Sequence, residues 1–272
     1  MKSDFLSTLI IVCGLVPLWA LETWLPAAPG RRNRLRHACR NLSLGLLNAF
    51  AMALFAAPLV MRQFASQAED QGFGLLRLMP LPPVVSTLAA VLLFDGWMYL
   101  WHRANHRIGF LWRFHRVHHS DPEMDATSAV RFHVGEILLS SALRLAVIPL
   151  LGMTLGQLLV YESLMLPVIL FHHSNVRFPE WLDRRLRRVL VSPALHRVHH
   201  SRIQRETDSN YATIFSFWDR LGRTFRLRED GRPVDFGLNE YDGEEWQRMT
   251  GLLTTPFLPA PPSSEREKNL SR

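Results

Sequence analysis

The chain has 272 residues, 48% of them apolar, and a formal net charge of +7. Its mean hydropathy of +0.02 averages long uncharged runs against arginine-dense segments, which excludes disorder for most of the chain and an ordinary soluble domain. Only two cysteines occur, Cys13 and Cys39, so no disulfide framework exists. The basic excess lies beside apolar runs, which suits anionic lipid headgroups and not nucleic acid.

A helix crosses a bilayer core with about 20 apolar residues. Residues 5–25 meet that length with one late acid, Glu22; residues 42–61 meet it with Asn48 and Pro58 inside; residues 81–101 meet it with Asp95 near the end. Asp4 beside Lys2 and the length of the first run favour a retained helix over a cleaved signal peptide. Two shorter runs follow, 137–151 and 155–171, joined by Gly152-Met153-Thr154. They predict a helical hairpin, spanning wholly or in part, that returns the chain to the side it left. Arg144 and Glu162 lie at similar depth inside it, where either the opposite charges pair or Arg144 snorkels to headgroups and Glu162 faces a polar cavity.

The segment 31–40 holds five arginines and no acid, whereas Arg62 and Arg77 in the next loop are balanced by Glu69 and Asp70. The first loop is therefore expected in the cytoplasm and the N-terminus outside. Three crossings then deliver Trp101 and everything after it to the cytoplasmic side. Residues 254–272, rich in Pro, Ser and charge, read as a disordered tail. The expected division is a transmembrane region over 1–80, a catalytic region over 81–230 and a C-terminal segment with that tail over 231–272.

Eleven of the twelve histidines fall between residues 102 and 200. His102 and His106 form HxxxH. His115, His118 and His119 form HxxHH, as do His196, His199 and His200, and His172 and His173 end the hairpin. Chance gives about 0.02 copies of HxxHH at this histidine frequency. Positions i, i+3 and i+4 share one helical face, so each HxxHH is expected to aim three imidazoles at a common point. Ser192-Pro193 is an N-cap signature for the helix carrying the second copy. His37 reads as an ordinary hydrogen-bonded residue. So many clustered imidazoles leave lone pairs and N–H groups that a metal satisfies directly. One ion takes three or four of them, so about nine imply two ions. No thiolate and no Glu-x-x-His ligand set accompanies them. The combination points to a non-haem di-iron site that activates O₂, with zinc and copper left open by imidazole number alone.

These motifs resemble the fatty acid hydroxylase superfamily, in particular bacterial proteins of the sterol desaturase family. The resemblance runs from Asp95 to Phe225. Asp95-Gly-Trp-Met-Tyr99-Leu-Trp-His102-Arg103 with His106 is similar to the family's DxxxYxxHRxxH segment. Phe114-His115-Arg-Val-His118-His119-Ser120 is similar to its second box, and Arg131-Phe132-His133-Val-Gly-Glu136 to its RFHxxE. His173-Ser-Asn175, the box from Ser192 to Ser201, Asn210-Tyr211 and Trp218-Asp219-Arg220-Leu221 complete the set, while Gly222-Arg223-Thr224 departs from the usual Phe-Gly-Thr. The resemblance implies an all-α integral membrane protein of about three transmembrane helices plus the hairpin, with a cytosolic helical cap holding a His-rich dimetal site. It implies an O₂-dependent di-iron oxidoreductase that hydroxylates or desaturates a sterol, fatty acyl or isoprenoid chain in the bacterial cytoplasmic membrane.

The expected ligands are His102, His106, His115, His118, His119, His173, His196, His199 and His200, with His172 and His133 as further candidates. Asp95 shares a helical stripe with Tyr99, His102 and His106, so it is expected to accept an imidazole N–H and orient a ligand. Glu136 and His133 stand open between ligand, proton relay and substrate contact, and Asn175 is a candidate to hold a metal-bound water. Trp97, Tyr99, Trp101 and Trp112 read as an interfacial belt. No cytochrome b5 or nucleotide-binding motif occurs, so electrons are expected from a separate protein of cytochrome b5, ferredoxin or reductase type. The alternative is a non-catalytic membrane protein that binds zinc or iron as a carrier.

Overall fold

The computed structural model describes residues 2–28, 33–55, 57–228, 233–241 and 243–259. Residues 29–32 of the basic loop and 260–272 of the expected tail lie outside them. Twelve α-helices and no β-strand occur among the described residues. The chain is an all-α membrane protein.

Helix α1 (Lys2–Trp24) packs along α7 (Leu155–His173), and the two end together, with Pro26 bridged to Val176 just beyond them. Glu22 fixes that end. Its buried carboxylate accepts from the backbone N–H groups of Ala126 (2.9 Å) and Asn175 (2.8 Å) and pairs with Arg34 at 2.8 Å. The acid seen late in the first apolar run is thus a three-way tie.

The second apolar run is not one helix. α2 (Arg34–Leu54) ends before Pro58, and α3 (Ala57–Asp70) restarts with that proline in its first turn. A proline has no N–H to give the carbonyl four residues back, here that of Leu54, so the helix breaks there. α2 and α3 both pack on α6 (Val134–Leu151).

Between them in sequence, α4 (Pro83–Arg107) is the longest helix at 25 residues, about 37 Å by its rise. Its chain turns at Ile108 into α5 (Gly109–His119), which packs back on α4 and so lays HxxHH against HxxxH. The 3-10 turn Ala126–Val130 leads into α6. Gly152, in the left-handed region at φ 72°, ends α6, and Thr154 caps α7 in a capping box with Gln157. Helices α4, α6 and α7 are each long and apolar enough to cross a membrane. Gly74 rests on Gly152 so closely that a Cβ there would stand 2.3 Å from its backbone. The loop after α3 and the hairpin tip therefore share the end of the bundle remote from the histidines.

The remaining helices are short: α8 (Glu180–Leu186), α9 (Pro193–His199), α10 (Gln204–Thr207), α11 (Phe217–Leu221) and α12 (Met249–Thr254). Ser192 caps α9 by accepting from the Leu195 N–H, with Pro193 in the first turn, as its sequence predicts. The expectation of a disordered tail from residue 254 needs correction at its start. Thr255 and Pro256 are buried in a 3-10 turn, and Arg116 donates to the carbonyls of Thr255 and Leu258. An arginine from α5 thus gives that segment a reason to order.

Candidate metal centre

The nine expected imidazoles converge from four elements. The last turns of α4 bring His102 and His106; α5 brings His115, His118 and His119; α7 brings His173; α9 and its C-cap bring His196, His199 and His200. They form two groups. His102, His106, His115, His119 and His199 make one, and His118, His173, His196 and His200 the other, each with ligand-type nitrogens within 4.8 Å of one another.

This division corrects the expectation that each HxxHH aims at one point. Residue i+4 lies about 40° from residue i around the helix, and i+3 about 60° the other way. The i, i+4 pair therefore stays together and i+3 departs. His115 and His119 go to the first group while His118 goes to the second; His196 and His200 go to the second while His199 goes to the first. Each box serves both groups and holds them side by side.

Tautomers explain why the groups fit a cation. The Nδ1–H of His102 donates to the Tyr211 carbonyl (2.8 Å), of His118 to Arg131 (3.2 Å), of His173 to Ile169 (2.8 Å) and of His199 to Ser209 (2.7 Å). That of His115 donates to the Glu136 carboxylate at 2.8 Å. A carbonyl only accepts, so Nδ1 carries the proton and Nε2 presents a lone pair. Yet Nε2 of His102 stands 3.1 Å from that of His115 and 3.0 Å from that of His199, and Nε2 of His118 stands 3.2 Å from that of His173. Lone pair faces lone pair. No hydrogen bond forms between two acceptors, so the donor set fits a metal ion. With metal–nitrogen bonds of about 2.1 Å, two ligands at a right angle are about 3.0 Å apart, which these spacings match. Burial, reinforced by neighbouring imidazoles, lowers the pKa values of His118, His119, His196 and His200 well below the ordinary histidine range and that of His199 to about 3. Those five rings are held neutral, as ligands must be.

The surrounding candidates separate. Glu136 orients His115 through one oxygen, and its other oxygen is buried without a partner. His172 is buried beside His196, ring centres 4.0 Å apart, with neither nitrogen hydrogen-bonded. His133 lies outside both groups. It caps α6, its Nδ1 accepting from the Gly135 N–H (2.9 Å) and its Nε2 donating to the Leu253 carbonyl (3.2 Å). Asp95 touches no imidazole. It accepts from the Tyr161 hydroxyl, the Ile214 and Phe215 N–H groups and the Trp218 indole at 3.0–3.2 Å. Sharing a stripe is not reach: seven residues put Asp95 about 10 Å below His102, where it clamps the 214–218 segment instead. Asn175 does not face the metal groups either. Its amide brackets Ala28, accepting from the N–H and donating to the carbonyl.

The aromatic stripe is not a belt. Tyr99 is buried against Thr224, Trp101 is buried and Trp112 packs on the rings of His106 and His119. Sequence reasoning noted Asn210-Tyr211 only within the family resemblance and gave the segment 208–211 no role. Asp208 brings a carboxylate oxygen to 3.5 Å from Nδ1 of His106. The Tyr211 ring lies against His102, His106 and His199. Asn210 takes a positive φ of 53° and bonds Leu195 and Arg226, which aims the Ser209 and Tyr211 carbonyls at the imidazoles. Backbone acceptors leave no mark in a sequence; an isolated Asn-Tyr after an HxxHH was the only signal.

A cavity of about 760 Å³ opens from both groups toward the bundle interior. His102, His115, His118, His173 and His196 line one end; apolar side chains of α1, α2, α4, α6 and α7 form most of the rest, interrupted by polar residues that include Glu136, Ser140 and Arg144 of α6.

Residues 87–224, just over half of the chain, match the family model described as fatty acid hydroxylase. The chain belongs to the fatty acid hydroxylase family. The matched segment holds both histidine groups with Asp95, Glu136 and Asn175. Over 176 residues the chain is 29% identical to an ornithine lipid hydroxylase of Rhizobium tropici, covering 65% of this chain and 51% of that protein. It is 27% identical over 241 residues to alkylglycerol monooxygenase of Homo sapiens, 84% of this chain and 48% of that one. With cholesterol 25-hydroxylase of Rattus norvegicus it shares 29% over 153 residues, 55% and 50% of the two chains. The chain thus spans about half the length of these curated relatives of the fatty acid hydroxylase family. No solved structure gives a significant match.

Proposed function

We propose that the chain is a membrane-bound non-haem di-iron oxidoreductase that uses O₂ to hydroxylate a lipid. The observation that carries this reading is the opposed Nε2 lone pairs within two adjacent imidazole groups at one end of a largely apolar cavity. His102, His106, His115, His119 and His199 would hold one iron and His118, His173, His196 and His200 the other. Five imidazoles in one group exceed the four ligands of a closed zinc site, which favours iron. The relatives are by name hydroxylases and a monooxygenase, which favours hydroxylation over desaturation.

When bound, the two irons supply reductive activation of O₂ and removal of hydrogen from the lipid. The chain supplies the rest. Carbonyls of Ile169, Arg131, Ser209 and Tyr211 and the carboxylate of Glu136 fix the tautomer and direction of five of the nine rings, so much of the ligand geometry exists before the metal arrives. The apolar walls exclude water and bring a lipid chain to the histidines. Electrons come from a separate donor protein, of cytochrome b5, ferredoxin or reductase type. In the bilayer, the histidine end faces the cytoplasm of a bacterial inner membrane and the N-terminus lies outside. The bundle supports that parity, since α1 and α7 end together at the histidine end.

Metal analysis of the purified chain from iron-supplemented cells should give two irons. Comparison of membrane lipids with and without the gene should show a species one oxygen atom heavier, formed in air and absent without it. Two metals with no oxygenated lipid would favour the carrier reading; one metal or none in folded protein would end the di-iron reading.

A further inference from the structure

The cavity wall carries a polar stripe of which only the first residue, Glu136, serves the histidines. Glu136, Ser140 and Arg144 follow one another at four-residue steps on α6, and all three line the cavity. Such a stripe inside a membrane helix faces something polar. Its two ends are separated by eight residues, about 12 Å along the helix. Glu136 is at the histidine end, touching His115. Arg144 is at the deep end, and its partners there are poor. Its guanidinium stands 3.9 Å from Glu162, 3.6 Å from the Met98 sulfur and 5.8 Å from the centre of the Phe94 ring, and its Nε is buried with no hydrogen-bond partner.

We infer that Arg144 holds an uncharged oxygen, the hydroxyl of a lipid alcohol, so that the carbon presented to the metals is about 12 Å from that oxygen. This rests on the proposed lipid oxidation and adds a substrate class to it. The guanidinium lines the cavity, and its nearest carboxylate oxygen is 3.9 Å away, so it supplies donors at membrane depth, where a lipid oxygen is the available acceptor. Glu162 already balances the arginine's charge, so a carboxylate brought there would be a buried charge without compensation, whereas a hydroxyl adds none. The lipid therefore sits with its hydroxyl deep and its oxidised carbon at the histidines. Chain length beyond that carbon matters less than the fixed interval.

The test is photo-crosslinking of the purified full chain in nanodiscs. The probes are a hexadecanol with a diazirine about 12 Å from its hydroxyl and the matching diazirine-bearing hexadecane. One hydrogen bond to a charged donor corresponds to about tenfold in occupancy. The alcohol should label the 101–105 and 129–132 segments about tenfold more than the hydrocarbon. Arg144→Leu should erase that preference, and Arg144→Gln, which keeps a donor, should retain part of it. Equal labelling by both probes in the wild-type chain overturns the inference, as does an unchanged preference in folded Arg144→Leu. The wild-type comparison decides alone if that variant does not fold. Labelling requires neither metal nor O₂. Equal labelling in a chain that still forms oxygenated lipid removes only the Arg144 anchor, and absence of oxygenated lipid with selective labelling removes only the oxidation.

Discussion

Two buried polar clusters lie within a few residues of each other, and only one is complete. Around His37, the imidazole meets Asp121 at 2.8 Å and Asp125 at 3.2 Å. Arg131, fully buried, donates to the Val117 carbonyl, Asn41, Ser120 and Gln247 at 2.7–3.0 Å. Two cations and two carboxylates balance, and each has partners. Burial alone would lower the His37 pKa, but the two carboxylates outweigh it and raise the value to about 10. Burial likewise pushes the Asp121 carboxyl up, while His37 and Arg131 together hold it well below the usual range. Across Ser120, the nine-imidazole cluster shows the opposite: opposed lone pairs and orphaned nitrogens on His106, His119, His196 and His200. A histidine count does not separate the two clusters. What separates them is whether the partners are inside the chain.

Removing a ligand should break this contrast most severely. His196→Ala is expected to lose metal and essentially all lipid oxidation, read by metal content and product mass together. Glu136→Gln should come next. It keeps the side-chain size but weakens the acceptor for His115 Nδ1–H, so metal affinity should fall by about 10–100-fold in a competition titration. Retention of wild-type affinity would mean that Glu136 does not orient the ligand.

The closed cluster responds to protons, not to chelators. The folded-state pKa of His37, about 10, lies above its ordinary 6.5. Its contribution is therefore complete below 6.5 and is lost as pH rises through 10. Thermal stability of the wild-type chain in detergent should decline between pH 7 and 10. His37→Asn should start about 3 kcal/mol lower at pH 7 and lose that part of the pH slope. The smallest effect belongs to His133→Ala, which removes a helix cap and should cost about 1 kcal/mol of stability with metal content unchanged. Loss of metal in that variant would return His133 to the ligand candidates.

Much of the candidate site was legible because imidazole spacing is a geometric statement. HxxxH and HxxHH put rings on one face of a helix whatever the tertiary structure, and all nine candidates come together. How they divide was hidden only by treating 100° of helical arc as one direction. Asp95 and Asn175 were misread for a different reason. A membrane acid needs partners, but a sequence does not say which: for Asp95 they come from residues 161 and 214–218, and for Asn175 from Ala28. The break before Pro58 was written in the sequence and outweighed by apolar length. The ring contacts of Trp112 and the burial of Trp101 depend on α5 folding back on α4, which no local pattern in either helix specifies.

The cavity is walled on one side by Leu15, Val16, Leu42 and Leu46, and Val16 and Leu46 are also exposed on the outer surface of the bundle. That places the entrance among acyl chains, not in water. Under the proposed lipid oxidation, substrate supply is two-dimensional: what the chain samples is a mole fraction in the membrane plane. Diluting the assay buffer should leave the rate untouched, whereas diluting the substrate lipid with inert lipid at constant bulk concentration should slow it. Saturation curves plotted against bulk concentration would shift with every change in vesicle amount and collapse onto one curve against surface mole fraction.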